Sequence, residues 1–480
     1  MKRTLCIVLA LLLALALPAS SLAERDGVRL PELGDSASRS LSISQERRLG
    51  EELIREVRQR VPLHADPEVQ YYISDLGQRL LARADGPDFD YNFFVVDSPA
   101  INAFAMPGGN IGINTGLIVR TESESELAGV MAHEIAHVTQ RHIARRLEAQ
   151  RGSGFRTLGI IMAAILMGMQ DPEMGSAAAM TGIAGSVQEQ LNYSRNHERE
   201  ADNIGMRILA DAGLDPEGMP RFFERLQQAT QFQTRPPEFL STHPVTENRI
   251  AESRARAQGY QPREIHESPL YGMIRARLLV ERSSDPEDAA RQFRSVLEDD
   301  SDNAYARYGL ALALTEKGET DEAKALLHQL MDEAGEQIFY FSALARAQWK
   351  AGNRDEALDT YRLALELFPD NYPLAHGYAD ALLRAGEPGE ARNVIQRQIR
   401  RGGSPEPALY QLLAQAATDA GRPHESRMAM AEYYQLHGQL RLAIEQLNQV
   451  IDGPDSGLYD QSRAVSRRQE LVRAYEDRNR

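Results

Sequence analysis

Cysteine and lysine are nearly missing from this chain of 480 residues: there is one cysteine, Cys6, and lysine stands only at 2, 317, 324 and 350. A single cysteine inside an N-terminal apolar run excludes a disulfide framework and a cysteine nucleophile from the remainder. Positive charge therefore comes almost entirely from arginine, and it is outweighed, for the formal charge is −15. So acidic a chain is a poor partner for nucleic acid or an anionic bilayer through bulk electrostatics. Long hydrophobic runs are absent too. The first, Leu5–Leu17, has thirteen residues, short of the about 20 that a bilayer span needs. Lys2 and Arg3 precede that run, and Pro18, Ser20 and Ser21-Leu22-Ala23 follow it. The pattern is that of a secretory signal peptide over 1–23, with cleavage expected before Glu24 and a linker over 24–43. Export without disulfides points to a bacterial periplasm, and no transmembrane helix is expected in the mature chain. The length predicts two or three domains.

What is present centres on His133-Glu134-Ile135-Ala136-His137. A four-residue helical step turns about 400°, so His133 and His137 leave one face a turn apart. Two imidazoles so placed can bind one Zn²⁺, with Glu134 beside the open position as general base. Leu127, Ala128, Val130, Met131, Ile135, Ala136 and Val138 make the helix apolar on most sides. It is expected to be buried, where unpaired polar groups are costly. A further carboxylate pair stands in Asn196-His197-Glu198-Arg199-Glu200-Ala201-Asp202, which begins a second helical pattern that Gly213 is expected to stop. Glu198 and Asp202 share a face, suiting one for a metal and the other for an imidazole N–H. His197 and Glu200 are rivals that point away from that face, and His142, half a turn round from His133, reads as a non-ligand.

This spacing resembles the M48 family of zinc peptidases, a gluzincin group. That resemblance, carried by residues 44–257, implies His133, His137 and Glu198 as ligands of one zinc ion and Glu134 as base. It also implies that Asp202 donates a proton or orients a ligand. Ser241-Thr242-His243-Pro244, followed by Arg249-Ile250, resembles the His-Pro segment of the same family. His243, on a backbone held extended by Pro244, has two candidate roles besides that of an ordinary loop histidine. As fourth ligand it would leave no activated water and a latent enzyme; as oxyanion donor, with Arg249 close by, it would assist the reaction.

Upstream, Tyr91–Val96 and Ile101–Ala105 read as strands, and Pro107-Gly108-Gly109-Asn110 as a turn before Ile111-Gly112-Ile113. A strand beside the zinc helix can offer its edge to an extended peptide. Gly109, Asn110 and Ile111, with Arg249, are the candidate substrate-binding residues, an ordinary hairpin being the alternative. Between the metal-binding segments, Leu158–Met169 is apolar and 177–187 rich in alanine and glycine. A buried helix or an apolar lid is expected there, with a membrane-contacting surface as the alternative.

Beyond residue 262 a repeat takes over. Gly318, Gly352, Gly386 and Gly421 stand 34, 34 and 35 apart, followed five residues on by Ala323, Ala357, Ala391 and Ser426. Leu310, Ala345, Tyr378 and Leu412 supply apolar positions to the first helices of the pairs. The period resembles tetratricopeptide repeats, expected over 269–480 with irregular helices at 269–303 and 438–475. Such a solenoid presents a surface to partner proteins. The expected fold is mainly α: a gluzincin-type zinc metalloprotease domain with a small β-sheet over 44–262, followed by an α-helical TPR solenoid. The pairing resembles periplasmic M48 proteases that act in outer-membrane protein assembly. That resemblance implies cleavage of stalled or misfolded β-barrel precursors, contact with their assembly machinery, and assistance to assembly through the repeats. Two other readings remain: a chaperone or scaffold whose metal site is silent, and a hydrolase of cell-wall material.

Overall fold

The computed structural model describes residues 41–149, 187–231, 237–260, 264–401, 406–453 and 457–479. The expected signal peptide and the apolar stretch over 158–169 and 177–186 lie outside them. Two helices, α1 (Ile43–Arg60) and α2 (Pro67–Leu81), precede a three-stranded sheet of β1 (Asn92–Val96), β2 (Ala103–Met106) and β3 (Asn110–Asn114). Ser42 closes the N-terminus of α1 with a capping box through Gln45, and Asp66 caps α2 ahead of Pro67. The strand order is β1-β3-β2, parallel between β1 and β3 and antiparallel between β2 and β3, with Ala103 opposite Ile113 and Met106 opposite Asn110. One 3-10 turn, Pro107–Gly109, joins β2 to β3. The strands thus lie where alternation and turn residues place them. Their order corrects one expectation: β3 is the middle strand, so the backbone of Asn110 and Ile111 is paired on both sides.

After α3 (Thr115–Arg120) comes α4 (Glu124–Thr139), capped by Ser123 and carrying the His-Glu-x-x-His motif. Nearly every side chain of α4 is buried, as expected for a helix apolar all round. The chain then breaks at Arg141, whose φ is +53°, and restarts as α5 (His142–Ala149). The other carboxylates stand on α6 (Val187–Asp211), which begins nine residues before the predicted start at Asn196. It ends before Gly213, whose φ is +81°. Helices α7 (Gly218–Gln231), α8 (Glu238–Thr242) and α9 (Glu247–Ala257) complete this half.

The second half is helical throughout, with α10 (Leu270–Arg282) and α11 (Pro286–Asp299) leading into four helix pairs. These are α12 (Ala304–Lys317) with α13 (Thr320–Ala334), α14 (Ile338–Lys350) with α15 (Arg354–Leu367), α16 (Tyr372–Ala385) with α17 (Pro388–Arg401), and α18 (Pro407–Asp419) with α19 (Pro423–Leu436). Helices α20 (Leu440–Ile451) and α21 (Leu458–Asn479) follow. The aligned glycines all adopt positive φ, between +70° and +88°, each closing the first helix of a pair. Ala323, Ala357 and Ala391 are fully buried where the second helix packs back, and Ser426 is half-buried with its hydroxyl 2.8 Å from Thr418 Oγ1.

The array does not stand apart from the first half. One hydrophobic core runs from Tyr72 and Leu76 of α2 through Tyr271 and Ile274 of α10 into Tyr308, Phe341 and Tyr378 of the repeats. Tyr271 donates to the Thr121 carbonyl at 2.6 Å, and Arg275 Nε to the Val119 carbonyl at 3.0 Å. Charge follows apolar surface inside: Arg277 pairs with Asp66 and, at 2.9 Å, with Glu68, which also accepts from the Ser342 hydroxyl. Helix α2 thus packs against α10 and the array helix α16, and the core between the repeats continues into the first half. At the far end Arg58 donates to the Leu436 carbonyl at 2.6 Å and Gln59 to that of His437 at 3.0 Å.

Removing the cation of a buried pair leaves uncompensated charge. Arg277→Ala is expected to reduce folding free energy by roughly 3–5 kcal/mol in urea denaturation. A loss below about 1 kcal/mol would mean that the network does not hold the halves together. The same network sets an acid limit. Burial alone would raise the Asp66 carboxyl, but Arg277 and then Arg346 outweigh it and bring it from 3.8 to about 2. A carboxyl lowered on folding contributes stability that is complete above 3.8 and lost as the pH falls towards 2. In Asp66→Asn the stability lost across that window should shrink by roughly 2 kcal/mol, measured by denaturation of the metal-free protein at each pH.

Candidate metal centre

Residues 198, 202 and 205 recur every three or four positions and so share one face of α6. Gly205 lies directly against α4: a Cβ there would stand 2.9 Å from the His133 backbone nitrogen. The missing side chain lets the two helices meet backbone to backbone. Two turns earlier, Glu198 then faces the gap between His133 and His137.

Four groups converge in that gap. His137 Nε2 is 3.0 Å from His133 Nε2, and Glu198 reaches these nitrogens at 3.5 and 3.4 Å respectively. His243, carried just past the short helix α8, joins them. Its Nδ1 stands 3.1 Å from Glu198 Oε2 and 3.4 Å from His133 Nε2. The donor atoms of His133, His137, Glu198 and His243 all lie within 4.8 Å of one another. Three imidazoles and a carboxylate pointing at one small volume fit a divalent cation of borderline softness.

Charged groups around the cluster are arranged in ranks. His133 Nδ1 lies 3.0 Å from Asp202 Oδ1, and Arg249 clamps Asp202 with bonds of 2.8 and 2.7 Å. Arg249 also reaches Glu198 at 3.0 Å and lies over the Phe223 ring. Burial would lower His133, but contacts with Asp202 and Glu198 raise it to about 10; His137 is pushed down by burial and then by His133. Burial would raise Glu198 and Asp202, yet His243 and His133 hold Glu198 well below the usual carboxylate range. His133 and Arg249 do the same for Asp202. Glu134 is the exception. It is raised by burial, which outweighs His243, His133 and a hydrogen bond from the Ala105 backbone N–H. Its Oε1 stands 3.4 Å from His243 Nε2.

The structure thus gathers His133, Glu134, His137, Glu198, Asp202 and His243 and leaves other candidates aside. Arg249 is a buried partner of Asp202 and Glu198, so its guanidinium is engaged away from any substrate. Gly109 sits in the 3-10 turn, and Asn110 and Ile111 lie in the central strand, so none offers a free backbone edge. The outer strand β2, packed against α4, has that property. His142 lies outside the donor set but close behind it. Because α4 ends at Thr139 and the chain reverses at Arg141, its Nδ1 returns to 2.8 Å from His137 Nδ1. His142 Nε2 faces Glu200 at 3.2 Å, and the His142 and His197 rings stack at 4.2 Å. Burial and then His197 lower His142 to about 4, which keeps it neutral near pH 7. No glycine or proline announces that reversal in the sequence.

Residues 67–257 match the model of peptidase family M48, and residues 246–404 that of a tetratricopeptide repeat. The beta-barrel assembly-enhancing protease of Escherichia coli strain K12 is 34% identical over 448 residues, covering 92% of this chain and 91% of that protein. The chain belongs to this family of M48 peptidases. The beta-barrel assembly-enhancing protease of Yersinia pestis is 32% identical over 96% of each chain. A more distant likeness, 34% identity over 167 residues, joins it to the mitochondrial metalloendopeptidase OMA1 of Bos taurus, covering 34% of this chain and 31% of that one. The peptidase is accordingly a metalloprotease with a repeat array, and its His/Glu cluster can hold the metal. Among the described residues no helix is long and apolar enough to cross a membrane.

If the approach at Gly205 sets the cluster, widening it should disperse the donors. Gly205→Val is expected to lower stability by about 1–3 kcal/mol and to reduce bound metal per chain. Elemental analysis beside thermal melting measures both, and full metal content would sever Gly205 from the site.

Proposed function

We propose that this peptidase is a zinc endopeptidase of the periplasm that cleaves misfolded or stalled outer-membrane β-barrel precursors and aids their assembly through its repeats. The observation that carries the chemical part is the convergence of His133, His137, Glu198 and His243 beside a buried Glu134 that burial raises. The substrate and compartment rest on the names of the full-length relatives and on the export pattern of the first residues.

His133, His137 and Glu198 would hold the zinc ion. When bound there, zinc supplies Lewis acidity and lowers the pKa of water towards about 7. The protein's own groups do the rest. Glu134, raised by burial, accepts a proton from the attacking water and returns it to the leaving amine. Asp202 and Arg249 keep His133 oriented. An extended substrate pairs with the outer edge of β2, whose backbone specifies no side chain and so suits unfolded chains of varied sequence.

His243 sits within the donor set, with Nδ1 towards Glu198 and His133 and Nε2 towards Glu134. This placement favours the fourth-ligand role over the oxyanion role. In that role it occupies the position that water needs and restrains proteolysis until the His-Pro loop moves. A silent-site scaffold would need no carboxyl at position 134, so retention of Glu134 speaks for catalysis.

Glu134→Gln should keep near-stoichiometric zinc and lose proteolysis of an unfolded substrate such as casein, while His133→Ala, His137→Ala and Glu198→Ala should lose zinc. Full activity in Glu134→Gln would overturn the assignment. His243→Ala should raise basal proteolysis; a fall would make His243 an oxyanion donor, and unchanged turnover with normal zinc would reject both roles.

A further inference from the structure

We infer that His142 is a positioning residue for the metal site, holding His137 through a relay that ends on Glu200 and Arg145. The inference rests on the metal-ligand reading above and extends it to residues outside the ligand set. His137 turns Nε2 towards His133 and Glu198, so a lone pair on Nε2 leaves the proton on Nδ1. That Nδ1 stands 2.8 Å from His142 Nδ1, which must then accept, and His142 carries its own proton on Nε2. Nε2 faces Glu200 Oε2 at 3.2 Å, and Arg145 donates to the same oxygen at 2.9 Å.

The two imidazoles of the motif are thus backed alike. His133 leans directly on a carboxylate clamped by an arginine, Asp202 with Arg249. For His137 the carboxylate and arginine, Glu200 with Arg145, lie one imidazole further out. Both devices fix a tautomer and a ring orientation, and both raise the basicity of the donor nitrogen.

The backbone supplies an independent observation. Arg141 is the only residue other than glycine with positive φ among the described residues, a conformation unfavourable for a side chain of its size. It is held there from both sides: Arg141 Nε donates to buried Glu46 at 3.0 Å, and Nη2 to the Leu41 carbonyl at 2.5 Å. Continued helix would carry His142 away from His137. The strained residue turns the chain back and delivers the imidazole, while the stacked His197 ring, tilted by only 8°, sets its plane.

The test is zinc affinity of the full chain, read by competition with a chromophoric chelator, beside the melting temperature of the metal-free protein. His142→Phe keeps a ring that can stack on His197 but removes both nitrogens. It should bind zinc roughly 10–100-fold more weakly while the metal-free melting temperature stays at the wild-type value. Glu200→Gln, which weakens the outer acceptor, should lose several-fold. Wild-type affinity in His142→Phe overturns the relay. A fall in metal-free melting temperature matching that of the loaded protein also overturns it, as a purely structural role. Should His142→Phe fail to fold, Glu200→Gln decides, and unchanged affinity there overturns the inference. A wild-type chain that takes up no zinc would instead overturn the metal-site reading itself.

Discussion

The close approach of α4 and α6 at Gly205 is the constraint on which the rest depends. A packed interior tolerates few gaps, so two helices in backbone contact have little freedom to slide or splay. Fixing them fixes the separation between the histidines of one and the carboxylates of the other. A site assembled on two rigid helices holds its donors better than one built on loops. The price is that six ionisable groups share a buried volume, and of its three carboxylates Glu134 alone is raised, while Glu198 and Asp202 are lowered. A carboxylate raised in this way is the better proton acceptor.

Around this pair the protein grades its rigidity. His133 and Glu198 are braced by a guanidinium, His137 by a chain of hydrogen bonds, and His243 by the Phe239 ring and by the bond from Arg249 to the Pro244 carbonyl. His243 is the one donor carried outside a long helix, and the one on which restraint of activity is proposed to depend. A segment that must move cannot also be the best held.

Much of this was legible in the residues. Helical spacing put His133 with His137 and Glu198 with Asp202, and the aligned glycines gave the repeat, because period and helix termination act locally. What stayed hidden depends on distant contacts. Strand order is not written in alternation, so β3 could be taken for an edge although it lies in the middle. His142 looked misplaced because nothing marks Arg141 as the residue that reverses the chain. Arg249 was expected near the substrate until its buried carboxylate partners came into view, and nothing in the sequence singled out Arg277. Nothing in the period of the array foretold that α2 would lie against it, since complementary faces are recognised only when both are folded.

The network joining the two halves has a consequence for their solution behaviour. Asp66, Glu68 and Arg277 are largely withdrawn from water, where mobile counter-ions cannot reach between them. Screening, which at about 0.15 M salt already weakens exposed pairs beyond about 8 Å, has little hold on charges enclosed in this way. The peptidase and its array should therefore stay joined across ionic strengths that loosen ordinary surface contacts, and a compartment whose salt follows the outside medium would not prise them apart.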